Sequence, residues 1–283
     1  MSSRADELAL GAAKARRLVL RMVEAGHSGH LGGALSVIDI VTALYMNELV
    51  IDPARPTERG RDRFLLSAGH KAMAQYAVLA LMGFFPAETL DTYGKFGSPI
   101  PGHPDMHKLP GIEANTGALG HGLPIACGMA LGARIDRLPS RVFVVMGDGE
   151  LPEGSNWEGA AIAGHYKLDN LVVFVDANGL QISGRTSAVM NMAPVAEKFR
   201  AFGWATDEID GHDMAQILDV LARVPLAAGQ PTAIIAHTVK AKGIAMLEDT
   251  AASHYWKPTQ AELDAAIQEM EAQIAALQME ASR

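Results

Sequence analysis

The chain has 283 residues, enough for one or two domains at roughly 150 residues each, and it is 49% hydrophobic but only 20% charged, against an ordinary 25% or so. Its net charge of −8 offers no basic footprint for nucleic acid, and no stretch approaches the roughly 18 to 20 apolar residues of a membrane-spanning helix. Disorder, collagen and a small disulfide scaffold are excluded as well, and a lone Cys127 with no apolar run after the charged start points to a reducing cytoplasm. Residues 5–25, 36–49 and 71–84 carry helical periodicity, so the N-terminal third reads as mainly helix, with a helical layer over about residues 1–50. Another helix is expected over 119–134, starting in a glycine-rich turn. From there, short runs rich in Val, Ile and Phe alternate with amphipathic stretches. Strands are expected over 141–146 (RVFVVM), 171–176 (LVVFVD), 205–209 and 232–237 (TAIIAH), and helices over 156–165, 194–202 and 212–223. Thr259 and Glu262 form a capping-box pattern that opens a last helix over about 259–281. With no repeat and no low-complexity linker, residues 1–283 read as a single α/β domain, a parallel sheet with helices on both faces.

The most informative segment is Gly147-Asp148-Gly149-Glu150, directly after the strand at 141–146. Ligands of open parallel sheets sit beyond the carboxyl ends of the strands, where the glycines admit a bulky anion and the Asp offers a hard oxygen to a divalent cation. Asn178 follows the next expected strand, and adjacent strand ends would bring it and Asp148 to one ion. Mg²⁺ shares oxygen ligands with phosphates, so a metal-bridged diphosphate is the natural ligand. Taken alone, a Gly-Asp-Gly also suits an ordinary turn. GxGxxG, GxxxxGK[ST] and the zinc motif HExxH are all missing. Of the ten histidines, His30, His70 and His103 each follow a glycine, as expected where backbone turns to present a ring to a pocket. His27, His107, His165, His212 and His237 read as ordinary surface or hydrogen-bonded residues.

Gly147-Asp148-Gly149 with Asn178 resembles the thiamine-diphosphate motif, and further segments narrow the resemblance to the transketolase family. These are Ser28-Gly29-His30, Ser67-Ala68-Gly69-His70, Gly102-His103-Pro104-Asp105, Thr116-Gly117-Ala118-Leu119-Gly120-His121-Gly122, and Glu153-Gly154 before Glu158. They run in order from about residue 10 to about residue 258 and resemble the diphosphate-binding half of a fused transketolase. The resemblance implies the thiamine-diphosphate-binding fold, with Asp148, Asn178 and the Leu180 carbonyl as Mg²⁺ ligands. It implies cofactor contacts from Gly117, Leu119, Gly149, Glu150, Asn178, His70 and His254. His30, His70 and His103 would serve catalysis, and His30, His103, His254 and Lys240 would bind substrate. Glu153 and Glu158 resemble acidic residues of the family's dimer interface. Two departures stand out: His121 replaces the usual Gln, and Ser253-His254-Tyr255-Trp256 replaces a Trp-His-Gly type.

The activity implied is transfer of a two-carbon ketol unit from a ketose to an aldose, with thiamine diphosphate and Mg²⁺. In the family a second half grips the aminopyrimidine and supplies an activating Glu. Residues 259–283 are too few for such a domain, which needs about 50 residues. The expected partner is therefore a separately encoded C-terminal transketolase subunit in an α2β2 assembly. Burial against it and against a second copy, in interfaces of about 2,000 Å² or more, would account for the apolar excess. The alternatives are a 2-oxo-acid dehydrogenase α chain, a non-catalytic cofactor-binding paralogue and an unrelated Mg²⁺-dependent phosphotransferase, and the sugar pair stays open.

Overall fold

A computed structural model describes residues 3–281. Its centre is a five-stranded, all-parallel sheet in the order β1 (Arg63–Leu66), β2 (Val142–Gly147), β3 (Leu171–Ala177), β7 (Thr232–His237), β6 (Ala205–Asp210). A separate two-stranded hairpin, β4 (Leu180–Gln181) and β5 (Gly184–Arg185), follows β3. The helices are α1 (Arg4–Gly26), α2 (Leu31–Ala43), α3 (Ala72–Leu81), α4 (Gly122–Ile135), α5 (Gly154–His165), the single turn α6 (Thr186–Val189), α7 (Val195–Ala201), α8 (Met214–Ala222) and α9 (Gln260–Ala281).

Strand period decides which core each residue joins. Phe143, Val145 and Phe174 face α1, α2, α3, α8 and α9, while Val142, Val144, Val173 and Val175 face α4, α5 and α7. Both faces are covered, so the strands read as unbroken apolar runs, as parallel strands do. The expected parallel sheet with helices on both faces is the one observed.

Two features depart from the sequence reading. The N-terminal third contributes β1, four residues whose short Phe-Leu-Leu run gives too little alternation to register as a strand. It is specified by pairing with β2, Phe64 opposite Phe143 and Leu66 opposite Val145. The second helix starts at Leu31 rather than residue 36, and a π-helical turn, Leu44–Glu48, extends it. Gly32 and Gly33 look like breakers but serve as close-packing points. A Cβ on Gly32 would lie 2.7 Å from the Ser253 carbonyl oxygen, and one on Gly33 would lie 3.0 Å from Lys71 Cγ. Every residue of α2 is buried, as expected of a helix apolar nearly all round.

Candidate active site

The carboxyl ends of β1, β2, β3 and β7 open into one cavity of about 410 Å³, within the usual range for cofactor sites of about 300–1,000 Å³. Each strand end delivers part of its wall: His70 and Lys71 after β1, Asp148 after β2, Asn178 after β3, Lys240 after β7. His30 comes from the N-cap of α2, and His254 is brought beside it by reciprocal backbone hydrogen bonds between Gly29 and Trp256, 3.0 and 2.9 Å. His103 packs on Gly117, whose φ of +144° and missing Cβ make room; a Cβ there would sit 3.0 Å from the His103 ring.

Four histidines thus converge from four distant segments. The His30 ring centre is 5.7 Å from His70, 5.7 Å from His103 and 5.5 Å from His254, and His70 lies 5.2 Å from His254. Burial, reinforced by Lys71 and the neighbouring rings, pushes His70 down to about 2, and burial with Lys240 lowers His254 to about 4. His30 is lowered by burial and by His103. His70 and His254 are therefore neutral at physiological pH, able to donate from one nitrogen and accept at the other. Burial and nearby Lys71 bring the Lys240 ammonium down to about 8, and its Nζ lies 3.2 Å from His254 Nδ1.

Opposite this basic wall, Asp148 receives the Gly149 and Gly179 backbone N–H groups, each at 2.8 Å, one on each carboxylate oxygen. Burial, then the nearby Asp176 charge, raises its carboxyl to about 6. Asp148, the Asn178 amide oxygen and the Leu180 carbonyl would offer hard oxygens, and a divalent cation would add to the partial counter-charge that Lys71 gives Asp148. The set therefore fits Mg²⁺ and a diphosphate. No cluster of three or more His, Cys, Asp or Glu suited to a metal occurs among the described residues, so the fit rests on this mixed oxygen set.

A buried polar layer underlies the cavity. Fully buried Asp176 accepts from Lys71 Nζ at 2.5 Å, Ser36 Oγ at 2.6 Å, Asn178 Nδ2 at 2.8 Å and Thr238 Oγ1. Burial alone would raise the Asp176 carboxyl, but Lys71 and these donors hold it below the usual range. The Asn178 amide is thereby held with its nitrogen on Asp176. Glu150 lines the cavity, yet its carboxylate is engaged internally by Ser67 Oγ at 2.5 Å, Gly120 N at 2.9 Å and Gly147 N at 3.2 Å, tying three motif loops together. Burial raises its pKa.

Behind Lys240 stands a second network. Asp39 on α2 pairs with Arg16 Nη1 at 3.0 Å and Nη2 at 2.5 Å, and His212 Nδ1 is 2.8 Å from Asp39 Oδ2. Nε2 of His212 accepts the Val239 N–H at 2.8 Å, and Arg16 Nε donates to the Lys242 carbonyl at 3.2 Å. The backbone on both sides of Lys240 is held in this way. Nε2 faces a donor instead of a hydroxyl or thiol, so this Asp–His pair positions backbone and does not activate a nucleophile.

The sequence-derived cofactor, metal and histidine residues line the one cavity, including Leu119, Gly149 and Leu180. Beside Gly149 a Cβ would meet Gln181 at 2.9 Å, so the space it leaves is taken by β4. Glu153 and Glu158 are exposed at the start of α5, away from the cavity, and His121 lies outside its lining with Nδ1 3.1 Å from the Leu119 carbonyl. Lys71, Asp176 and His212 were not singled out from sequence. Asp176 carried a signal, an acid closing an otherwise apolar strand, but a buried lysine after Ser-Ala-Gly-His and a histidine in a polar turn carried none.

Residues 9–273 match the family described as transketolase, thiamine diphosphate binding domain, and the chain belongs to that family. It is 40% identical to one of the subunits of the apulose-4-phosphate transketolase of Phocaeicola vulgatus, over 97% of this chain and 98% of that one. It is 42% identical to the 6-deoxy-6-sulfo-D-fructose transketolase subunit SqwG of a Clostridium species, over 90% and 93%. Among solved structures, the transketolase from Leishmania mexicana superposes with a TM-score of 0.85 at 26% identity, covering 100% of this chain and 46% of that one. The Campylobacter jejuni transketolase gives 0.83 at 29%, covering 98% and 48%. The chain therefore spans nearly the full length of the two relatives named as subunits but about half of the solved transketolases. A 2-oxo-acid dehydrogenase α chain is not favoured by these relatives.

Proposed function

We propose that this chain is the diphosphate-binding subunit of a two-chain transketolase, moving a two-carbon ketol unit from a ketose donor to an aldose acceptor. The observation that carries the reading is the convergence of His30, His70, His103 and His254 opposite Asp148 and Asn178 in one cavity. Thiamine diphosphate, when bound, supplies the electron sink for carbon–carbon cleavage. Asp148, Asn178 and Leu180 would hold Mg²⁺, and Lys240 with His254 would offset the diphosphate charge. Gly117, Leu119, Gly149, Glu150 and His70 would shape the cofactor's bed. His30 and His103 would hydrogen-bond sugar hydroxyls, and His30, His70 and His103 would serve catalysis, His70 as a desolvated neutral ring that donates a hydrogen bond from one nitrogen and accepts at the other.

Relatives named for a sugar phosphate and a sulfosugar support a substrate with a phosphate or sulfonate at its far end. Their naming as subunits supports a partner subunit. That partner would be a separately encoded C-terminal chain that binds the aminopyrimidine and supplies the activating Glu, in an α2β2 assembly with Glu153 and Glu158 at an interface. Residues 1–283 would act as a single diphosphate-binding domain. No helix is long and apolar enough to cross a membrane among the described residues, and we place the protein in the cytoplasm.

Two measurements test this reading. Ketol transfer should appear only when the chain is mixed with its partner; transfer by the chain alone overturns the two-chain proposal. Asp148→Ala should abolish Mg²⁺-dependent thiamine diphosphate binding in calorimetry, and an unchanged affinity overturns the metal assignment.

A further inference from the structure

Two carboxylates stand side by side at the head of the sheet. Asp148 directly follows β2, and Asp176 lies near the end of β3, in register with Gly147 on the neighbouring strand. Their hydrogen bonding differs. A carboxylate has about four lone-pair sites. Asp148 accepts only the Gly149 and Gly179 N–H groups and lines the cavity, so it keeps acceptor capacity for a ligand. Asp176 accepts from Lys71 Nζ, Ser36 Oγ and Asn178 Nδ2 on one oxygen and from Thr238 Oγ1 on the other, and it is fully buried outside the cavity lining. Its acceptor capacity is filled by the protein.

Of these four donors only Lys71 brings a charge. Its side chain is built into the fold at 2% exposure, in space left by two glycines. A Cβ on Gly33 would lie 3.0 Å from Lys71 Cγ, and one on Gly147 would lie 3.1 Å from Lys71 Nζ. The first glycine of Gly147-Asp148-Gly149 therefore leaves room for this ammonium. Asn178 is fixed by the same network at both ends of its amide, with Nδ2 on Asp176 and Oδ1 accepting the Leu180 N–H at 3.0 Å. Without Lys71, Asp176 would be a buried charge with no cation of its own, next to Asp148. A divalent cation shared by the two carboxylates would then relieve it. The affinity of an oxygen site for such a cation rises with the number of charged ligands.

We propose that Lys71 withholds the Asp176 carboxylate from the metal site, leaving Asp148 as its one charged protein ligand, so that the site takes a divalent cation only together with the anionic group that the cation bridges. Lys71 acts here as a positioning residue, through Asp176 and Asn178. The proposal rests on the Mg²⁺ assignment above and adds what keeps the site selective for a metal–anion pair over the bare ion.

All the expected protein ligands of the metal lie on this chain, so the test needs neither cofactor nor partner. The probe is Mn²⁺ alone, titrated into the full chain and followed by loss of the free-ion signal in electron paramagnetic resonance. With chain and metal at about 0.1 mM each, the wild type should leave most of that signal in place. Lys71→Met should bind Mn²⁺ about tenfold or more tightly, a gain that loss of packing does not produce. Adding either Asp176→Asn or Asp148→Ala to Lys71→Met should abolish the gain. Lys71→Gln takes the place of Lys71→Met, with the same expectation, if the latter does not fold, and the wild-type measurement needs no variant. The proposal is overturned if the wild type already binds bare Mn²⁺ as tightly as the Lys71 variant, or if the gain survives removal of either carboxylate. The Asp148→Ala calorimetry of cofactor binding decides the underlying Mg²⁺ assignment independently of these data.

Discussion

His70 is held neutral by its surroundings, and this has a cost in acid. Burial lowers its folded-state pKa to about 2, against about 6.5 in an unfolded chain. Between those values the unfolded state binds the additional proton, so stability is full above about pH 6.5 and is lost as pH falls. One such group contributes a slope of up to about 1.4 kcal/mol per pH unit. Wild-type protein should therefore lose stability between about pH 6 and pH 4 more steeply than His70→Asn, by about that amount, in urea midpoints measured across the range. Equal slopes would contradict the neutral, desolvated ring. Asp148 runs the other way: its raised pKa, about 6, means that the metal-free fold loses stability as pH rises from about 4 to about 6.

Among the elements, α2 carries the most structural responsibility per residue. It is buried along its whole length, and its polar side chains are Ser36, Asp39 and Thr42. Ser36 and Asp39 anchor the two networks below the site, one at the Asp176 carboxylate and one at the backbone flanking Lys240. Asp39→Ala would leave Arg16 buried without its carboxylate and His212 without an acceptor. The expected destabilisation is about 3–5 kcal/mol in denaturant unfolding, the range for breaking a buried ion pair from one side. Replacing both Arg16 and Asp39 by apolar residues should recover a large part of it. These links were not legible in sequence. Asp39 reads as one acid in a helical pattern, and its partners are 23 and 173 residues away.

For the molecule as a whole, the apolar excess has been accommodated first by two cores, one on each face of the sheet. Large apolar side chains are nonetheless left in water. Phe96, between Gly94 and Gly97 at the tip of its loop, is fully exposed, and Ile182 is exposed on the hairpin at the cavity wall. Exposed aromatics beside a site mark interaction surfaces. Phe96→Ser should weaken association with the C-terminal partner by about tenfold or more in a titration, with little effect on the chain's own melting temperature. Unchanged association would place the partner elsewhere.

Strand runs, Gly-Asp-Gly with its later Asn, and glycine-preceded histidines are local patterns, and chemistry written within a few residues survives without coordinates. By themselves they gave the α/β class and pointed to Asp148 and Asn178 as oxygen ligands; Gly120-His121, Gly164-His165 and Gly211-His212 share the glycine-histidine pattern, so the choice of His30, His70 and His103 came from the resemblance to the family. The tertiary structure alone decided what depends on distant pairing: β1 on the edge of β2, Lys71 against Asp176, and His212 behind Lys240. A four-residue strand, a buried lysine or a neutral histidine has no signature of its own, because its energy comes from partners that the fold brings together.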